Sequence, residues 1–212
     1  VNRRATFGLR LPVGPRPWAA LLGGPLMGVG LFLVGAAFIL AVRGTHLSPA
    51  ARDLAERIIA LITSQPTWLV WMLVAVLPAV CEELFFRGWL LAAFAGDRPG
   101  RGRQMAAVLL QAAVFAGFHL LPERMPQTFM LGIALGWMTR ATGSLLPAVL
   151  AHLAHNGTPL VLVELATGRQ ARQLAAGDTS TLPWEVVVAA VASLLVGAWL
   201  VWMCRGRPRR WT

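Results

Sequence analysis

The chain has 212 residues, of which 57% are hydrophobic and 13% are charged, and its mean hydropathy of +0.63 lies far above that of soluble globular domains. Its 19 basic residues are all arginine and give a formal net charge of +10. These arginines flank apolar runs instead of forming one basic face, so the composition argues against a nucleic-acid-binding protein and indicates an integral membrane protein.

Six apolar segments are each predicted to form a helix that is long enough, or nearly so, to cross a bilayer, which takes about 20 residues. In chain order they are Trp18–Val42, Thr67–Leu90, Gln104–Leu121, Met125–Met138, Ser144–Val163 and Trp184–Cys204. The fourth is shorter than the others, at about 21 Å of helix, and is ended by Arg140. The sequence therefore predicts an all-α fold, a polytopic membrane helical bundle of about six transmembrane segments, one of them short.

A further helix is predicted between the first two spans, over Leu47–Thr63. Ser48 followed by Pro49 is a typical helix start, and apolar residues recur with a helical period at positions 54, 58, 59 and 62. Because this helix is amphipathic, we expect it to lie along the outer membrane interface.

The arginine distribution predicts that both termini face the cytoplasm. With six spans, twelve arginines fall on the inner side and six on the outer side, while Arg87 remains within the membrane; the inner twelve are at positions 3, 4, 10, 16, 98, 101, 103, 140, 205, 207, 209 and 210 and the outer six at 43, 52, 57, 124, 169 and 172. We expect one domain over residues 1–212, located as a multi-pass protein in the cell inner membrane, with the lipid bilayer as a partner and no nucleic acid.

Three of the spans contain polar side chains at membrane depth, where an ionised group costs about 2.5 to 3.5 kcal/mol on insertion scales. A single one of them is as consistent with packing as with function, but their concentration in three helices indicates a functional site. They are Glu82, Glu83 and Arg87 in the second span, His119 at the end of the third, and His152, His155 and Asn156 in the fifth.

The spacing of the charged residues in the second span predicts different roles for the two glutamates. Arg87 follows Glu83 by four residues, so the two side chains share a helical face and are expected to pair. Glu82 is turned by about 100° from Glu83 and is left available.

The spacing in the fifth span separates its two histidines. His152 and Asn156 are four residues apart and share a face, whereas His155 points away from it. We expect a cavity walled by three helices to bring Glu82, His119, His152 and Asn156 to one point. Because His119 ends its span near the outer side, this requires the following turn, residues 120–126, to be sunk into the protein.

Three motifs occur in order along these spans: Glu-Glu-x-x-x-Arg at 82–87, Phe-x-x-x-His at 115–119 and His-x-x-x-Asn at 152–156. Together with the stretch "GSLLPAVLAHLAHN" they resemble the CPBP family of intramembrane proteases, which includes CAAX prenyl endopeptidases and bacteriocin-processing proteins. The motif core covers about residues 67–163, and the first and last spans match that family only in hydrophobicity.

The resemblance implies hydrolysis of a peptide bond in a peptide or protein substrate at the membrane. In the terms of that family, Glu82 and His119 would hold and deprotonate a water, and His152 with Asn156 would stabilise the oxyanion. Glu83 and Arg87 complete the family's first motif.

The identity of a cofactor is left open by the residues. Glu82, His119 and His152 could form a three-ligand zinc site with an open water position, but the chain lacks a His-Glu-x-x-His helix. We expect a metal-free, glutamate-activated water, with zinc as the alternative.

Two other functions compete with the protease. A proton-coupled transporter also buries Glu, His and Arg near the midplane, but it predicts inverted repeats that are not found here. A non-catalytic scaffold or permease-associated domain predicts decayed motifs, and these motifs are intact.

Overall fold

The computed structural model of the chain describes residues 8–43, 49–96, 100–120, 122, 124–165 and 184–204. Within these ranges the ordered elements are helices, with no strand. In chain order we number them α1 (Pro17–Arg43), α2 (Pro49–Ser64), α3 (Thr67–Ala95), α4 (Arg101–Phe118), α5 (Met125–Thr142), α6 (Leu146–Leu165) and α7 (Trp184–Met203). The predicted all-α bundle is confirmed.

Four of the helices, α1, α3, α6 and α7, are long and apolar enough to cross a membrane. Helices α4 and α5 have 18 residues each and contain more polar side chains, among them Arg101 and Arg103 at the start of α4 and Arg140 near the end of α5. Both pack against the other helices of the bundle. All six predicted segments are therefore helical, and the crossing of the bilayer by α4 and α5 stays a prediction.

Helix α5 is longer than the sequence predicts. It continues through Arg140 to Thr142, which gives about 27 Å of helix instead of about 21 Å. Its end is set by Gly143, which adopts a left-handed conformation (φ 64°), the usual residue for this helix-terminating position. The prediction that Arg140 ends this helix was wrong because a half-buried arginine is tolerated within its last turn.

Helix α6 lies at the centre of the bundle, in contact with α1, α3 and α5. Glycines on α1 allow the closest approaches. A Cβ on Gly28 would overlap the Ala151 carbonyl of α6, and one on Gly23 would lie 2.6 Å from the Gly197 carbonyl of α7. Small residues at such contacts are typical of packed membrane helices. Helix α1, outside the motif core, thus supports the helix that carries His152 and Asn156.

Two π-helical turns interrupt α3, at Trp71–Val76 and Leu84–Leu90. In each, a backbone N–H reaches a carbonyl five residues earlier: Leu77 donates to Met72 and Leu91 to Phe86. Pro78 follows the first turn and cannot donate a backbone hydrogen bond, which accounts for the local change in the hydrogen-bond pattern of the helix. The second turn contains Arg87, and π-turns frequently occur at functional sites.

The helix predicted between the first two spans is confirmed as α2, over Pro49–Ser64. An exposed pair between Arg57 and Asp53, at 2.9 Å, joins positions four residues apart on its surface. The predicted start at Leu47 and Ser48 lies outside the described residues. Most of the arginines of the two tails also lie outside them, so the orientation of the termini stays a prediction.

The turn between α4 and α5 lies on the surface of the bundle, and the prediction that it is sunk into the protein was wrong. Leu120 is 82% exposed, and Pro122, Arg124 and Pro126 are exposed as well; Leu121 and Glu123 are outside the described residues. The chain reverses after Phe118 through Leu120, which has a φ of 55°. The turn is formed by short-range backbone bonds, such as that from Met125 N to Pro122 O, and needs no burial.

Candidate active site

Glu83 and Arg87 form a fully buried ion pair on α3. Arg87 Nη1 donates to Glu83 Oε1 at 2.5 Å, and both side chains have zero exposure. The predicted pairing of these residues is confirmed. A second guanidinium nitrogen, Nη2, lies 3.4 Å from the Gly132 carbonyl of α5, so Arg87 links two helices.

His152 of α6 contacts both glutamates. Its Nδ1 lies 2.8 Å from Glu83 Oε1, the oxygen that also accepts from Arg87. Because an ionised carboxylate can only accept, Nδ1 carries the hydrogen of this bond, and the neutral imidazole then presents the Nε2 lone pair. The bond between His152 and Glu83 was not predicted, because the two residues are 69 positions apart and their contact depends on the packing of α3 against α6.

Glu82 is the more accessible glutamate. Its side chain is 24% exposed, and its Oε2 lies 3.8 Å from His152 Nε2. That distance is too long for a direct hydrogen bond, so the two side chains are close to each other without being bonded. Oε2 itself is buried and has no hydrogen-bond partner among the described residues. The carboxylate that the sequence predicts to be available is therefore free of the Arg87 pair.

Phe115 of α4 lies at the centre of the site. Its ring centroid is 4.4 Å from Arg87 Cζ and 5.9 Å from the His152 ring, and its side chain is fully buried. A guanidinium at this distance from an aromatic ring gains cation–π attraction. Sequence reasoning used Phe115 as a motif residue and missed its contact with Arg87.

His119 lies one turn beyond Phe115 on the same face of α4. The two rings are 4.8 Å apart, and His119 Nδ1 is 2.9 Å from the Phe115 carbonyl oxygen. Among the described residues, neither Glu82 nor Glu83 is within ion-pair distance of His119. The structure therefore places His119 beside the site, joined to it through Phe115, and not in contact with Glu82.

A buried amide, that of Gln111, extends the polar cluster along α4. Gln111 Nε2 donates to the Gly132 carbonyl at 2.8 Å and to the Val108 carbonyl at 3.0 Å. The Gly132 carbonyl thus faces both Gln111 and Arg87. Sequence reasoning did not single out Gln111; the available signal was its spacing, four residues before Phe115 and eight before His119, on one helical face.

The other two polar residues that the sequence analysis singled out on α6, His155 and Asn156, differ as their spacing predicts. His155 is directed toward α1, where it makes an edge contact with Phe32, with ring centroids 5.6 Å apart. Asn156 is half-buried one turn beyond His152, and no hydrogen bond joins its amide to another described residue. Packing against a neighbouring helix, the alternative role for His155, is what the structure shows.

The residues do not form a ready metal centre. Among the described residues, no group of three His, Cys, Asp or Glu side chains is placed to hold a metal ion. The set proposed for zinc, Glu82, His119 and His152, is not gathered because His119 remains beside Phe115.

A match to a known protein family covers the part of the chain that contains the candidate site. Residues 64–158 match the family model described as Rce1-like, type II CAAX prenyl endopeptidase. The match includes α3, α4 and α5, the site-bearing part of α6 and all six predicted site residues. No curated protein and no solved structure matches the chain. The match confirms the family resemblance that the three motifs predicted and indicates a CAAX protease-like hydrolase, and the apolar helices indicate an integral membrane protein.

Proposed function

We propose that this chain is an intramembrane endopeptidase that hydrolyses a peptide bond of a membrane-associated peptide or protein with a water activated by Glu82. The observation that carries the proposal is the set of contacts among Glu82, Glu83, Arg87 and His152. Two glutamates and an arginine in one apolar span raise the free energy of membrane insertion. The contacts in the structure support different roles for the two carboxylates.

Glu82 is the proposed general base. Its side chain is 24% exposed, and its carboxylate is not bonded to Arg87 and lies 3.8 Å from His152 Nε2, so a water bound to the carboxylate would lie beside the histidine. Glu82 takes one proton from that water while the oxygen attacks the carbonyl carbon of the substrate. The tetrahedral intermediate then collapses, the C–N bond breaks, and the proton passes to the departing amine, which leaves a carboxylate and an amine.

His152 and Asn156 are the proposed donors to the oxyanion. Because the Glu83 bond occupies Nδ1–H of His152, Nε2 can donate only when the ring carries both protons. The side-chain amide of Asn156, one turn further along the same face of α6, is proposed to supply a second donor. His119 is proposed to assist Glu82 only if substrate binding brings its ring past Phe115, since it does not contact Glu82 here.

The proposal is tested by comparing membrane proteomes of cells that produce the wild type and Glu82→Gln. We expect a precursor protein to accumulate in Glu82→Gln cells and its cleaved form to disappear. Glu185→Gln, the same change at an exposed position in the first turn of α7, is the matched control and should behave as wild type. The purified wild type must then cleave that precursor; cleavage at the wild-type rate by purified Glu82→Gln would contradict the mechanism.

A further inference from the structure

A chain of buried polar contacts runs from the site through α3 and α5 to α4. His152 bonds to Glu83, Glu83 to Arg87, and Arg87 approaches the Gly132 carbonyl. The last member is Gln111, which donates to that same carbonyl over a shorter distance than Arg87, 2.8 Å against 3.4 Å. The amide is therefore the stronger of the two contacts that hold this carbonyl.

The packing of α4 against α5 is shaped to admit the Gln111 amide. A Cβ on Gly132 would lie 2.9 Å from Ala112 Cα, and a Cβ on Gly136 would lie 2.8 Å from Gln111 Nε2. The two glycines are one turn apart, so they bring the helix backbones together and leave space for the amide beside the Gly132 carbonyl. A side chain at Gly136 would displace the amide, and one at Gly132 would force the two helix backbones apart.

The orientation of the amide follows from its neighbours. Both contacts of Nε2 are to carbonyl oxygens, which only accept, so the NH₂ group faces them and Oε1 is directed elsewhere. Oε1 is buried without a hydrogen-bond partner among the described residues, as is Arg87 Nε. A glutamine that served packing alone would not be expected to remain where its oxygen is unsatisfied.

We propose that Gln111 is a positioning residue of the active site: its amide fixes the Gly132 carbonyl, which with Phe115 holds the Arg87 guanidinium, and the guanidinium in turn holds Glu83 against His152. The inference rests on the proposed function for its effect on catalysis, but the arrangement of His152 can be observed without any substrate.

The first measurement is the ¹⁵N spectrum of the histidine rings in nanodisc-embedded protein. The chain has four histidines, and His152→Ala identifies the His152 signals. Gln111→Met keeps the length of the side chain and removes both hydrogen bonds, so we expect it to change the His152 ring signals and to leave those of His155 unchanged. Gln111→Glu should change the His152 signals further, because a second carboxylate near the guanidinium competes with Glu83 for Arg87. Gln104→Met, on the same helix two turns earlier, is the matched control and should give the wild-type spectrum.

The second measurement is the rate of cleavage of the precursor identified in the proteomic comparison. Misplacement of a catalytic group by about 1 Å typically lowers rates about a hundredfold, so we expect a fall of that order in kcat for Gln111→Met with a much smaller change in KM. If Gln111→Met does not fold, Gln111→Asn replaces it, because its amide is too short to reach both carbonyls and should have the same effects.

The outcomes separate the two proposals. An unchanged His152 spectrum in folded Gln111→Met, or full activity in that variant, overturns the positioning role of Gln111 and leaves the protease proposal standing. A changed His152 spectrum in a protein whose wild type cleaves no precursor supports the positioning role and overturns the proposed function.

Discussion

Removing the arginine of the buried pair should destabilise the protein strongly. In Arg87→Ala, Glu83 stays in a position with zero side-chain exposure and keeps His152 as its remaining hydrogen-bond partner. Because the pair is fully buried, the small values measured for exposed ion pairs, up to about 1 kcal/mol, do not apply. Stranding one member of a buried pair typically costs about 3 to 5 kcal/mol, or roughly two to four powers of ten in the unfolding equilibrium constant. The lost cation–π contact with Phe115 adds to this loss.

The free energy of unfolding in mixed detergent micelles measures this effect, and two further variants make the test specific. Glu83→Gln/Arg87→Met removes both charges, so we expect it to be more stable than Arg87→Ala although it changes more atoms. Glu82→Gln should lose much less stability, because Glu82 is partly exposed and is not bonded to Arg87. Equal losses in Arg87→Ala and Glu82→Gln, or a double variant less stable than Arg87→Ala, would refute the separation of the two glutamates.

Three further predictions concern the oxyanion donors, the topology and the metal. His152→Ala and Asn156→Ala should each lower turnover about a hundred- to a thousandfold, while His155→Ala, whose contacts are with α1, should lower it far less. Steady-state rates of the purified variants measure these losses. An inactive His155→Ala beside an active His152→Ala would contradict the prediction. Reporter fusions placed after Leu121 and after Cys204 should report opposite sides of the membrane, and the same side for both would exclude six spans with cytoplasmic termini. Activity should survive chelator treatment and metal removal verified by elemental analysis, whereas loss of activity restored by about one equivalent of zinc would identify a metalloprotease.

Local spacing predicted the parts of the site that depend on one helix. Glu83 and Arg87 are four residues apart, and a helix alone brings their side chains together. The same argument separated His152 from His155, since their directions on α6 follow from the helical period.

Contacts between different helices could not be predicted from the spacing of residues along one helix. The bond from His152 to Glu83 depends on the rotation of α6 against α3, which hydrophobicity leaves undetermined when most faces of both helices are apolar. The π-turn at Leu84–Leu90 could not be predicted either. Its sequence is typical of an ordinary apolar helix, and the altered hydrogen-bond pattern is visible only in the backbone of the structure. In the sequence Gln111 is a polar residue within an apolar segment, and only the packing of α4 against α5 reveals that its amide binds the Gly132 carbonyl.

The role predicted for His119 beside Glu82 stays a prediction, because the side-chain contacts that the structure gives for this residue are with Phe115 of its own helix. The family resemblance places this residue with Glu82, and the sunken turn was inferred to bring the two to the same depth. In the structure the α4–α5 turn is exposed, and His119 is held by its own helix through the Phe115 carbonyl. Its role in water activation therefore remains a proposal that requires movement of the ring.

The contacts of His152 with the two glutamates give each glutamate a different role in the proposed mechanism. Arg87 pairs with Glu83 alone, and His152 approaches the two carboxylates with different ring nitrogens, Nδ1 toward Glu83 and Nε2 toward Glu82. In the proposed mechanism, a water beside Glu82 gives up one proton to that carboxylate as the substrate oxygen becomes negative, and a hydrogen on His152 Nε2 would be placed to donate to that oxygen. Glu83 fixes the other nitrogen throughout, as a carboxylate orients the imidazole in hydrolases with a Ser-His-Asp triad. In the proposed mechanism the adjacent glutamates therefore have complementary roles at one histidine: Glu83 sets its orientation, and Glu82 exchanges the proton of the water beside Nε2.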